Sequence, residues 1–343
     1  MDSAFIIEKS IFIVVIFAVT MVMAMYSTWA ERKVAAYLQD RVGPNRAGWG
    51  GLLQPLADGM KLFAKEEFEP NTKNRFLFFV GPAVAMSTAL MTSAVIPWGD
   101  RLEIFGRTVI LQATDTDSAI LYIFAVVSLG VYGIMIGGWA SNNKFSLMGA
   151  VRAASQMVSY EIAMGLSIIA LLMMTGTLSL KEISVQQHGI HWNVFYQPLS
   201  FLIFLICAFA ETNRTPFDLA ECESELIGGY HTEYSSMKMG FYLFAEYANM
   251  FISSTILAVV FLGGYHFPGM AWVNENWGIN IGALLGFLTL FAKICFFIFF
   301  YMWVRWTIPR FRYDQLMHLG WKILIPLAVI NIVITGIVMV LFN

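Results

Sequence analysis

Three ionisable side chains, Glu161, Glu246 and Lys293, each stand inside a run of roughly 20 otherwise apolar residues. A charge at the centre of a membrane helix costs about 2.5 to 3.5 kcal/mol on insertion scales, so each of the three needs a partner or a task. Burial and a neighbouring charge can bring a carboxyl's titration into the neutral range, which makes a group able to load and release protons. A structural ion pair or a hydrogen-bonded buried acid would account for the same residues. Their helical neighbours are small or polar. Tyr242, Glu246, Asn249 and Ser253 recur at spacings of 4, 3 and 4, and so do Gly282, Gly286, Thr289 and Lys293. Both stripes are expected to face protein rather than lipid.

Two polar connections carry further chemistry. Glu211 to Lys238 reads ETNRTPFDLAECESELIGGYHTEYSSMK and holds Glu211, Asp218, Glu221, Glu223, Glu225 and Glu233 against Arg214 and Lys238. Such a loop is either solvated or docked on a soluble partner, lining a polar path toward Glu161 and Glu246. Gln54 to Phe68, QPLADGMKLFAKEEF, puts Leu53, Leu56, Met60 and Phe63 on one helical face and Asp58, Lys61 and Lys65 on the other. With Pro55 at its start, this predicts an amphipathic helix lying in the membrane interface. It serves as an anchor, or as one wall of an opening for a lipid-soluble substrate.

Other chemistries are excluded. Cys207, Cys222 and Cys295 form no CxxC pair, so the chain builds no iron–sulfur cluster or zinc site by itself. His188, His191, His231, His266 and His318 all lie outside the middle of any apolar run, which rules out bis-histidine haem ligation. No GxGxxG, P-loop or HExxH pattern occurs. A formal net charge of −2 gives no reason to expect nucleic acid.

The elements that must position these residues are membrane helices. Hydrophobic residues make up 58% of the chain, charged residues 13%, and the mean hydropathy is +0.66. Eight apolar stretches are long enough to span, at approximately 10 to 30, 76 to 98, 118 to 141, 154 to 177, 196 to 213, 239 to 264, 279 to 304 and 321 to 342. The fifth is the shortest, with Pro198 near its start. The connections at 31 to 75, 142 to 153, 211 to 238 and 305 to 320, with Lys322 just beyond the last, hold 16 of the 21 lysines and arginines, and the opposite connections hold four. By the positive-inside rule those loops face the cytoplasm and both termini face out. The prediction is an all-α, polytopic, single membrane domain over residues 1 to 343, with an interfacial helix. The first apolar run, Ser10 to Ala30, lacks a basic leader and a cleavage site and reads as a retained span.

Taken together, the inner segments Glu31 to Pro70, Ala210 to Met250 and Ile308 to Lys322, with RAASQMVSYEIAMGLS at Arg152 to Ser167, resemble the H-subunit family of respiratory complex I. That family includes mitochondrial NADH dehydrogenase subunit 1. The resemblance runs in order from about Glu31 to Lys322. It implies a membrane subunit of a proton-pumping NADH:quinone oxidoreductase that forms the quinone access chamber with peripheral-arm subunits and adjoins other membrane-arm subunits. It further implies ubiquinone or menaquinone as substrate, no cofactor bound by this chain alone, and NADH, FMN and iron–sulfur clusters in partner subunits. The expected home is a bacterial cytoplasmic membrane rather than the mitochondrial inner membrane.

By the same resemblance, Arg32, Asp58, Gly59, Lys61 and Phe63 belong to quinone access, and Glu211, Asp218, Glu221, Glu223 and Glu225 to an acidic coupling loop. Glu161, Glu246 and Lys293 belong to a proton path. Cys222 stands where a small, alanine-like residue is the family expectation. Read without the resemblance, the residues also suit the equivalent subunit of a hydrogenase- or ferredoxin-linked complex, or a free-standing ion transporter. The lack of a visible inverted repeat argues against the transporter.

Overall fold

In hydrocarbon a backbone N–H or C=O finds partners only within its own helix, so the apolar runs fold as helices. The computed structural model describes residues 3 to 71, 73 to 104 and 107 to 342. In chain order the helices are α1 (Ser3–Leu38), α2 (Gln54–Ala64), α3 (Arg75–Thr92), α4 (Ala119–Ala140), α5 (Lys144–Thr175), α6 (Leu180–Gln186) and α7 (Asn193–Tyr196). They continue as α8 (Pro198–Glu211), α9 (Glu223–Leu226), α10 (Ser236–Phe261), α11 (Met270–Trp277), α12 (Ile279–Thr307), α13 (Tyr313–His318) and α14 (Ile325–Phe342). A two-stranded antiparallel hairpin, Arg101–Ile104 with Arg107–Ile110, links α3 to α4. Asn280 at the start of α12 bonds both backbone groups of Glu103 in it.

Among the described residues seven helices are long and apolar enough to cross a membrane. The expected fifth span is the exception. α8 has 14 residues, about 21 Å of helix against a hydrocarbon core of about 30 Å. Most of its faces are buried by neighbouring helices, α5 foremost, which removes the need to match the bilayer.

Three boundaries differ from expectation for local reasons. α1 runs past Ala30 to Leu38, because Val34, Ala35, Ala36 and Leu38 continue an apolar, helix-favouring pattern and Ala35 and Ala36 are buried. Glu31 and Arg32 therefore sit on a helix, not in a loop. α5 begins at Lys144, ten residues before the expected 154, where the Asn143 side chain accepts from the Phe145 N–H at 2.9 Å. At the other end of the chain, a π-helical segment, Leu319–Leu324, joins α13 to α14. The loop expected at 305 to 320 shrinks to residues 308 to 312.

α3 and α4 pack most closely. A Cβ on Gly81 would lie 2.9 Å from the Gly137 Cα, and one on Gly133 would lie 3.0 Å from the Gly81 carbonyl oxygen. Small residues permit this backbone approach. α10 is the central post, packed on α1, α3 and α12, while α5 holds α4, α8 and α14.

Candidate functional site

α2 packs against both the C-terminal half of α1 and the N-terminal half of α10. Leu53, Leu56, Met60 and Phe63 point away from the protein, as an interfacial helix requires, with Phe63 74% exposed. The polar face turns inward: Arg32 on α1 donates to Asp58 at 2.6 Å, and Gln54 donates to the other Asp58 oxygen at 3.1 Å. Between the three helices lies a cavity of about 550 Å³ whose walls include Arg32, Asp58, Gly59, Lys61, Phe244 and Tyr247. Of the five residues expected at quinone access, four line this cavity and Phe63 does not.

A buried ionic cluster adjoins the cavity through Tyr247. Arg214, only 4% exposed, donates to Glu31 at 2.9 Å, and Arg305 donates to the second Glu31 oxygen at 2.5 Å. Tyr247 donates to Glu31 at 2.9 Å, and the Arg214 guanidinium lies 4.1 Å from the centre of its ring. Burial opposes the Arg214 charge, but Tyr247, Glu31 and Glu246 outweigh it and hold its pKa above the ordinary arginine value. Tyr247 also lines a second hollow of about 430 Å³ with Glu31, Arg32, Arg41 and Arg305.

The first half of the acidic loop is not solvated. Thr212 to Ala220 is buried, held by Gln156 of α5, whose amide donates to Ala210 O at 2.8 Å, Asn213 Oδ1 at 3.2 Å and Phe217 O at 2.8 Å. Asp218 pairs with Arg310 at 2.9 Å. Burial and the neighbouring Glu221 nevertheless push its pKa up to about 7, against the pull of Arg310 and Arg214. Glu225 reaches out to Arg152 at 2.5 Å and is largely exposed. Glu223 begins α9, and its side chain lies outside the described residues. Glu221 lies 3.5 Å from His231 and within hydrogen-bonding reach of Glu246.

Glu246 accepts from the Tyr230 hydroxyl at 3.1 Å. Burial first, then Glu246 and Glu221, keep Tyr230 well above the ordinary phenol range, so it stays a donor. Glu246, Glu211, Asn213 and Asn249 share a cavity of about 30 Å³, room for about two waters. Glu211 also borders a second, apolar cavity of about 40 Å³ and lies close enough to Glu161 to interact with it electrostatically. Glu161 accepts from Ser128 of α4. Glu221, Glu246, Glu211 and Glu161 thus form a connected set.

Lys293 does not join them. Its ammonium donates to the carbonyls of Leu262, Gly264 and His266 at 2.7, 2.8 and 2.9 Å, capping the far end of α10. Sixteen residues of helix separate Leu262 from Glu246, about 24 Å.

The whole length of the chain matches known proteins. A family model described as NADH dehydrogenase matches residues 11 to 336. The chain is 84% identical over 343 residues to the NADH-quinone oxidoreductase H subunit of Flavobacterium psychrophilum, covering 100% of both. It belongs to the H-subunit family of NADH-quinone oxidoreductase. Identity to an H subunit of Cytophaga hutchinsonii is 64%, with 98% of each chain covered. To the H subunit of Leptospira biflexa it is 48%, over 95% of this chain and 93% of the relative.

As a member of that family, the chain is a membrane component of an NADH-quinone oxidoreductase. Sequence reasoning about it overlooked Glu31, one position before Arg32, because the apolar run stops at Ala30. The signal available was the spacing of Glu31, Ala35 and Leu38, which continues one helical face. Arg214, Arg305, Tyr230 and Tyr247 were overlooked because their partners are remote in sequence.

Proposed function

We propose that this H subunit forms the membrane wall of the route by which ubiquinone or menaquinone reaches its reduction site, in concert with peripheral-arm subunits, and couples that reduction to proton translocation. NADH, FMN and the iron–sulfur clusters then belong to partner subunits, and the polar loops to the cytoplasmic face of a bacterial inner membrane.

The observation that carries it is Tyr247. One side of this residue lines the α1/α2/α10 cavity, and its hydroxyl holds Glu31 within the Arg214 and Arg305 cluster. A quinone in that cavity would press a polar headgroup toward Arg32 and Arg305 while its tail left between α1 and α2 into lipid.

Reduction by electrons from a partner's cluster places negative charge near these guanidiniums, and quinone takes up protons as it becomes quinol. Charge arriving beside Arg214 competes with Glu31 and Glu246 for the same cation, which couples the headgroup to the buried acids through a low-dielectric interior. Glu221, Glu246, Glu211 and Glu161 then carry the change in protonation along α10, the end of α8 and α5.

Filling the cavity tests the reading. Leu243 of α10 also lines that cavity, and Leu243→Trp in the assembled complex should cut quinone reductase activity severely while NADH oxidation by a hydrophilic artificial acceptor persists. Unchanged quinone reduction in that variant would overturn the access role.

A further inference from the structure

We infer that Lys238, with Ser235 and Ser236, is a positioning clasp that fixes the amphipathic helix α2 against α10 and thereby sets the width of the lipid-side opening. The inference rests on the access reading above and adds to it a device that lies outside the cavity wall.

The geometry is a set of bonds from the first residues of α10 to the segment that ends α2. Ser236 has φ of 53°, in the left-handed region that disfavours a residue with a side chain. Its hydroxyl bonds to the carbonyls of Leu62 and Lys65 at 3.0 and 3.1 Å. Those carbonyls belong to the last turn of α2 and its cap, which have no partner along their own helix. Ser235 accepts from the Phe68 N–H at 2.9 Å and is 3.1 Å from the Phe68 carbonyl.

Lys238 adds charge to this. A cation in the first turn of a helix opposes the helix dipole, so a lysine here needs a separate source of stabilisation. Glu67 supplies it at 2.6 Å, and Glu69 makes a second ion pair. Lys238 and Lys73 together hold the Glu69 carboxyl down at about 2. The Lys238 ammonium also lies 5.4 Å from the centre of the Phe78 ring, which roots it in α3. Its side chain is only 13% exposed, against 49% for Glu67 and 30% for Glu69, so screening is reduced at the cation's end of the pairs.

α2 is therefore pinned twice, by Arg32 and Asp58 to α1 and by the Lys238 group to α10, with the cavity between the pins. Releasing the second pin lets α2 drift without replacing any cavity-lining side chain. A long isoprenoid tail must pass between α1 and α2, whereas a short-tailed, water-soluble quinone makes little use of that gap. Loss of the clasp should therefore act on affinity for the long substrate and spare turnover.

The test is steady-state kinetics of the assembled complex in proteoliposomes with Lys238→Met, Lys238→Arg and the cavity-filling Leu243→Trp. In Lys238→Met, KM for a long-tailed quinone should rise about fivefold with kcat unchanged, while KM for a short-tailed quinone stays within about twofold. Lys238→Arg should restore the long-tail KM. Equal shifts for both quinones, or no shift in a fully assembled complex, would overturn the clasp. Leu243→Trp separates the two ideas: if it blocks reduction while Lys238→Met has no effect, the clasp alone fails. If it has no effect, the access reading fails.

Discussion

The Arg214 guanidinium donates to Glu31 at 2.9 Å across 183 residues of sequence, tying the acidic loop to the first membrane helix. Arg305 of α12 shares the same carboxylate, so one acid joins three parts of the chain. Removing a partner from a buried ion pair strands the other charge and typically costs about 3 to 5 kcal/mol. Arg214→Met should therefore lower the amount of assembled complex on native gels and its thermal midpoint, and Glu31→Gln should do so to a smaller degree. Wild-type assembly and midpoint in Arg214→Met would refute a structural role for the cluster.

Glu161 and Glu246 are held by Ser128 and Tyr230, with Glu211 between them. Glu246→Gln and Glu161→Gln should each reduce proton-coupled quinone reduction at least about tenfold while leaving assembly intact. Proton release into sealed vesicles, measured beside NADH oxidation, reads this directly. Normal pumping in both variants would sink the relay.

Asp218 gives the acidic loop a pH dependence of known sign. Its carboxyl titrates at about 7 in the fold against 3.8 when free, so the folded loop holds a proton that the unfolded loop has lost across that window. The loop is then most secure below about pH 4 with respect to this group, and that contribution is lost as pH rises through 7. Amide hydrogen exchange over residues 212 to 222, corrected for its intrinsic pH dependence, should accelerate by about tenfold across the window. Asp218→Asn should flatten the profile, and an unaltered profile in that variant would assign the dependence to another group.

Gly137 marks where α4 admits the tyrosines of the loop and α10. A Cβ there would fall 1.9 Å from the Tyr242 hydroxyl, which itself donates to Gly133 O at 3.1 Å. Gly137→Ala should destabilise by about 1 to 3 kcal/mol, the usual cost of overpacking. Adding Tyr242→Phe removes the clashing oxygen and should recover part of that loss, so the double variant should melt above Gly137→Ala alone. Strict additivity would mean the two residues do not meet.

Much of this was legible in the sequence wherever the physics is local. Apolar run length predicted the membrane helices, and the 4, 3, 4 spacing put Tyr242, Glu246 and Asn249 on one face, all three lining one cavity. The face of α2 was legible for the same reason. Contacts set by tertiary packing were not. Lys293, read as a buried charge near the acids, caps a distant helix end, because the turn at 262 to 266 folds over it. The loop's inward fold was hidden as well, since Gln156 of α5 holds its backbone and Arg310 pairs with Asp218, both from separate parts of the chain.

Photolabelling of the assembled, turning-over complex with an azido-quinone carrying the reactive group near the ring tests the central claim most directly. Label should fall on peptides from the α1/α2/α10 cavity, around Met25 to Arg32, Pro55 to Leu62 and Met239 to Tyr247, and native quinone should compete it away. Competable label confined to other subunits, with none on these peptides, would contradict the account.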